Sequence, residues 1–187
     1  MNINTSKQSL TSLLYTKAAA ARITGVSPRK IERVEIWWKV IFVVFKKGNR
    51  LRPRFVSKKA FHQDFQSFRQ GNTAELELHP NPTGEGTKFA VINPKTDGVY
   101  LVTLSNRQLS CTCQDFEKQQ EANDCLSLEM GKHAPRCKHI YKVLELGDIE
   151  FLESLSHDID ISPVDDNWLA NDDWLSESDY SQVPAYW

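Results

Sequence analysis

Two short clusters, Cys111-Thr112-Cys113 and Cys137-Lys138-His139, constrain this chain more than any other feature; 23 residues separate them. Three thiols and one imidazole are the donor set of a closed, tetrahedral zinc site. The clusters have different local settings. Val99–Leu104 has the β-branched and aromatic content of a strand. Cys111 and Cys113 are therefore expected two apart at a strand end, on one face. Ile140–Leu146 reads as a helix stopped by Gly147. Positions two apart on a helix do not share a face, so Cys137 is expected just before the helix and His139 in its first turn. Cys125 and His133 lie inside the insert 114–136. A site using Cys125 in place of His139 is the competing assignment. As bystanders, Cys125 reads as a small buried apolar residue and His133 as a surface loop residue.

The length of the insert does not threaten such a site. Each doubling of a loop costs about 0.6 kcal/mol, so two doublings from a six-residue insert cost roughly 1.2 kcal/mol. A structural zinc contributes on the order of 10–16 kcal/mol in small peptides, and the metal wins. With all four positions filled by protein, the expected ion is single and structural.

At these residues the chain resembles the SWIM-type zinc finger, which has Cys-x-Cys, a variable insert and Cys-x-His in a strand-strand-helix unit. Tyr100-Leu101-Val102 resembles the strand before the first knuckle. Cys111-Thr112-Cys113 with Asp115 and Phe116 is similar to the first knuckle, and Cys137-Lys138-His139-Ile140 with Val143 and Leu144 to the second. Gln114 stands where many members carry proline, and the insert is at the long end for the family. The resemblance spans about residues 89–146. It implies the ligand set Cys111, Cys113, Cys137 and His139, and it allows roles in DNA binding or protein interaction.

Composition places the finger in its surroundings. The 187 residues are 40% hydrophobic, enough for a real core, with no apolar run of membrane-spanning length. Lys17 and Arg22 interrupt the N-terminal apolar stretch, so no signal peptide is expected. Cysteines in metal-type spacing without an export signal point to a reducing compartment, cytoplasmic or, in a eukaryote, nuclear. Net charge is −1 but unevenly spread. Residues 1–70 hold 15 Lys/Arg against Glu32, Glu35 and Asp64, and no Lys or Arg follows Lys142. A basic surface for a polyanion and an acidic tail are the expectation.

Along the chain, 7–25 has helical spacing with Gly25 as a stop, and Val34–Phe45 reads as one buried strand. Lys46–Arg50 is a turn. Leu51–Ser57 returns as an edge strand because Pro53 cannot donate to a ladder. Ser57 caps a helix whose Phe61, Phe65 and Phe68 read as core. Pro and Gly between His79 and Gly86 mark a linker. Phe89–Ile92, Val99–Leu104 and Gln108–Cys111 are strands, Glu117–Asn123 a short helix, and Ile149–Leu155 a further helical turn or two. The class is α+β. A basic helix-hairpin-helix domain (1–70), a linker (71–88), the finger region (89–156) and an acidic tail (157–187) follow one another.

No phosphate loop, nucleophile elbow or His-Glu-x-x-His is present, so a non-enzymatic protein is expected. The leading expectation is nucleic-acid binding, DNA before RNA, through Lys46, Lys47, Arg50, Arg52, Arg54, Lys58 and Lys59, with Lys138 and Lys142 near the finger. The alternative is a protein-interaction adaptor using the finger as scaffold and Trp168 and Trp174 of the acidic tail as contacts. The tail could also fold back on the basic hairpin and compete with nucleic acid.

Overall fold

The computed structural model describes residues 3–81 and 87–155; the tail 157–187, with Trp168 and Trp174, lies outside the described residues. The expected N-terminal helix is two: α1 (Ile3–Leu13) and α2 (Lys17–Thr24). Thr16 breaks them apart by capping, its hydroxyl accepting the Ala19 N–H at 3.0 Å. Gly25, at φ +72°, ends α2 in the left-handed conformation that glycine adopts without penalty.

The expected single strand over Val34–Phe45 is a hairpin instead. Strand β1 (Ile31–Ile36) turns through Trp37, Trp38 and Lys39 into β2 (Val40–Lys47), with the Trp37 N–H bonded to the Val40 carbonyl at 3.0 Å. A second tight turn, with Gly48 at φ +63°, leads into β3 (Arg50–Ser57). The order is β1-β2-β3, antiparallel throughout, so Pro53 does lie on an edge strand. The Ser57 hydroxyl caps α3 (Lys58–Gly71), accepting from the Ala60 N–H. Phe61 and Phe65 enter the core, whereas Phe68 stays largely exposed beneath the Arg22 guanidinium.

A second antiparallel sheet follows, in order β4-β5-β6-β7. It comprises β4 (Glu77–Asn81), β5 (Thr87–Asn93), β6 (Gly98–Ser105) and β7 (Gln108–Cys111). Strand β4 lies where a linker was expected. Its Pro80 is compatible with pairing because β4 is an edge, opposite Phe89 of β5. Within the insert, where one short helix was expected over Glu117–Asn123, there are two, α4 (Gln114–Glu121) and α5 (Asn123–Met130); α6 (Lys138–Leu144) and α7 (Ile149–Leu155) follow.

Two cores result. The second sheet packs Phe89, Val91, Val102 and Leu104 against Ile140 and Val143 of α6 and Leu152 of α7. The first sheet packs Ile41, Val43 and Val56 against Tyr15, Ala20, Phe61 and Phe65. Ala122 and fully buried Leu126, from the insert, complete this first core. Polar contacts reinforce the docking. Glu129 accepts from Tyr15 and from Lys58 at 2.8 Å, and Arg69 grips Asp115 with two hydrogen bonds of 2.7 and 2.9 Å.

Candidate metal centre

Each ligand is positioned by an element terminus. Cys111 ends β7. Cys113 caps α4, where its Sγ accepts the Phe116 N–H at 3.4 Å, the favourable end of a helix for a thiolate. Cys137 is the extended residue before α6, and His139 lies in that helix's first turn. All four are buried, and their donor atoms lie within 4.8 Å of one another. Cys125, half-buried on α5, is not in the group, so the assignment with Cys125 is excluded and the one with His139 stands.

The donor set fits zinc in geometry and in chemistry. Nδ1 of His139 sits 3.7 Å from Cys111 Sγ and 3.8 Å from Cys137 Sγ. Tetrahedral zinc, with bonds of about 2.3 Å to sulfur and about 2.0–2.1 Å to nitrogen, sets S···N edges of about 3.6 Å. Nδ1 therefore faces the ion, while Nε2 is buried with no hydrogen-bond partner among the described residues. Tyr100 stacks on the imidazole at 4.1 Å and 20°, fixing its plane.

The thiols oppose one another electrostatically. Hydrogen bonds from Cys111 and Cys137 hold the Cys113 thiol far below its ordinary value. Cys111 is pushed up to about 12, chiefly by its bond to Cys113, and Cys137 is raised chiefly by Cys111. Three thiolates cannot coexist in so small a buried space unless a cation balances them, and a bound divalent ion reverses this order by deprotonating all three. With four protein donors no position is open, and the zinc is structural.

The knuckles are locked to each other by a network that the spacing of ligands did not reveal. Gln119 of α4 is fully buried. Its Nε2 donates to Asp115 Oδ2 at 3.1 Å and to the Arg136 carbonyl at 3.3 Å, while its Oε1 accepts the Arg136 N–H at 3.1 Å. Asp115 is two residues past Cys113, and Arg136 immediately precedes Cys137. The only sequence hint was Asp115, within the first knuckle. His133, expected on the surface, is half-buried with its ring edge-on to Phe65.

The basic residues separate into two groups. Lys46 pairs with Glu32 at 2.7 Å, Lys58 with Glu129 at 2.8 Å and Lys142 with Glu145 at 2.9 Å. Lys47, Arg50, Arg52, Arg54, Lys59 and Lys138 form no ion pair among the described residues. The β2–β3 register brings Lys47 opposite Arg50, Phe45 opposite Arg52 and Val43 opposite Arg54, gathering four cations on one hairpin.

The SWIM zinc finger family matches residues 100–147, which hold both knuckles, the insert and α6. No curated protein and no solved structure matches the chain. No helix among the described residues is long and apolar enough to cross a membrane.

Proposed function

Because the chain carries a SWIM zinc finger with a Cys3His site for one structural zinc, we propose that it is a non-enzymatic nucleic-acid-binding protein, with DNA as its target. The zinc clamps β7 to α6 and holds the finger's shape. Binding chemistry lies outside the closed site, on the basic hairpin, with Lys59 and the Lys138 region of the finger adding further cations.

The observation that carries this reading is the concentration of Lys47, Arg50, Arg52 and Arg54 on one exposed hairpin, none of them in an ion pair among the described residues. Cations that solvate an ordinary surface are usually interspersed with acids, as Lys46 and Lys58 are here. Uncompensated cations on a two-stranded ribbon suit a phosphate backbone. Binding of DNA by the zinc-loaded chain, followed by fluorescence anisotropy over a range of salt, tests the proposal. Log affinity falling linearly and steeply with log salt supports it; weak or flat dependence refutes it. The adaptor reading rests on Trp168 and Trp174, which lie outside the described residues.

A further inference from the structure

The outward face of the first sheet is apolar where a solvated face is ordinarily polar. Val40–Phe45 of β2 is apolar at every position, without the alternation of a strand that has one face in water. Ile41, Val43 and Val56 point into the first core, so Phe42 and Val44 point the other way with their β3 partners Phe55 and Pro53. Trp37 stacks on Phe42 at 5.0 Å and 19°, and Phe55 closes the group at 5.5 Å from Trp37 and 5.3 Å from Phe42. Leu51, two positions before Pro53 on β3, extends the strip. Leu51 and Phe55 are each 59% exposed, Trp37 is 46% exposed and Trp38, in the adjoining turn, 90%. Soluble proteins seldom display so large an apolar patch without an occupant.

The charges that the strands set on this face cancel within it. Arg33, opposite Val44, pairs at 3.1 Å with Glu35, opposite Phe42, and Glu35 also accepts the Trp37 indole N–H at 3.1 Å. Lys46 pairs with Glu32 at 2.7 Å. The register sends Arg50, Arg52 and Arg54 to the opposite face, where their partners are Lys47, Phe45 and Val43. The rings are therefore bordered by neutral pairs, which select neither an anion nor a cation. Such a face does not repel a copy of itself. The edge of β3 does, because two β3 strands side by side would bring arginine against arginine.

We infer that this face is the interface of a homodimer, in which two copies pack sheet against sheet through Trp37, Phe42, Phe55 and Leu51. Area points to a second copy. An aromatic side chain offers about 150–250 Å², so the exposed fractions of Trp37, Trp38 and Phe55 come to roughly 300–500 Å². Leu51, Pro53 and the aliphatic stems of Lys46 and Arg33 carry the patch toward the ~800 Å² that each partner of a stable complex buries. The composition fits as well, an aromatic centre within a rim of satisfied polar groups. A two-fold contact needs a self-complementary patch, and a neutral apolar sheet face stacked on its own copy is one. Packing face to face leaves both sets of β3 arginines turned away from the contact. The dimer is independent of the nucleic-acid reading and goes beyond it.

Sedimentation equilibrium of the zinc-loaded full chain, without nucleic acid, tests this. A reversible monomer–dimer equilibrium is expected below about 1 mM. Phe55→Glu and Leu51→Lys should each raise the dissociation constant by about tenfold or more, whereas Arg52→Gln, on the opposite face, should leave it within about twofold. Melting midpoints establish that the variants are folded. Leu51→Lys alters a side chain already in water, so it decides the matter even where Phe55→Glu does not fold. A monomer at every concentration up to about 1 mM overturns the inference. So does a dimer that Leu51→Lys and Phe55→Glu both leave intact, since its contact lies elsewhere. A monomer that captures a labelled peptide of residues 157–187, and loses it in Phe55→Glu, gives the face to the acidic tail and likewise overturns the dimer. None of these arms uses DNA, so their failure is distinct from failure of the nucleic-acid reading.

Discussion

Gln119 holds both backbone polar groups of Arg136, accepting from its N–H at 3.1 Å and donating to its carbonyl at 3.3 Å. The contact joins the helix that begins at one knuckle to the residue that enters the other. Replacing Gln119 by Leu keeps the volume but strands those groups. Loss of about 1–2 kcal/mol of stability is expected in urea melts. Zinc affinity should fall roughly tenfold in chelator competition, since the ligands lose their mutual alignment.

Cys113→Ser removes a ligand while leaving a side chain able to cap α4. Zinc stoichiometry should drop well below one equivalent, and amides across residues 99–146 should exchange rapidly. A full equivalent of retained zinc would contradict the assignment. Chelating the wild-type protein should have the same effect, and it should also reach α5 and the Tyr15 region. Leu126 and Glu129 of α5 dock there, so the loss of the metal loosens the first core as well.

His133 supplies the pH dependence. Burial pushes its imidazole below the ordinary value of 6.5, with the nearby Arg69 and Arg136 charges adding to the effect. Between the folded value and 6.5 the unfolded chain binds more protons. The stability that His133 contributes is present above 6.5 and is lost as pH falls through that window. Zinc release contributes its own acid sensitivity, so the informative quantity is a difference. In zinc-saturated melts between about pH 7 and pH 5, His133→Phe should lose stability less steeply than the wild type.

Neutralising Arg50, Arg52 and Arg54 to Gln should reduce the salt slope of DNA binding by roughly 2 units, at about 0.7–0.9 per phosphate contact. Lys58→Gln should behave oppositely. Lys58 is engaged with Glu129, so its loss should lower stability while leaving the slope nearly unchanged. Titrations at several salt concentrations separate the two. Equal slopes for the triple variant and the wild type would locate the phosphate contacts elsewhere.

The metal site was readable because its signal is chemical and local. Four ligands in two pairs specify their own assembly, and Ser57 and Gly25 mark element ends by their side-chain chemistry alone. The first hairpin escaped notice for the opposite reason. Trp37-Trp38-Lys39 contains no Gly, Pro, Asn or Asp, and the turn lies within a stretch of strand-forming residues. Pro80 looked like a breaker because nothing nearby identifies β4 as an edge. The insert was the hardest part to read. Leu126 is buried against residues more than a hundred positions earlier, and no periodicity within a helix of eight residues encodes that distance.

The burial of Leu126 also sets when the first core can close during synthesis. As the chain leaves the ribosome, the first sheet and α3 emerge long before the segment that covers them. Tyr15 and Phe61 must wait, with one side of their core open, until residues 122–130 arrive. Cys137 and His139 follow within a few residues, so the last piece of the first core and the second half of the metal site reach the nascent protein almost together. The segments that allow zinc capture and closure of the N-terminal half therefore emerge almost together, although they lie at different places in the fold.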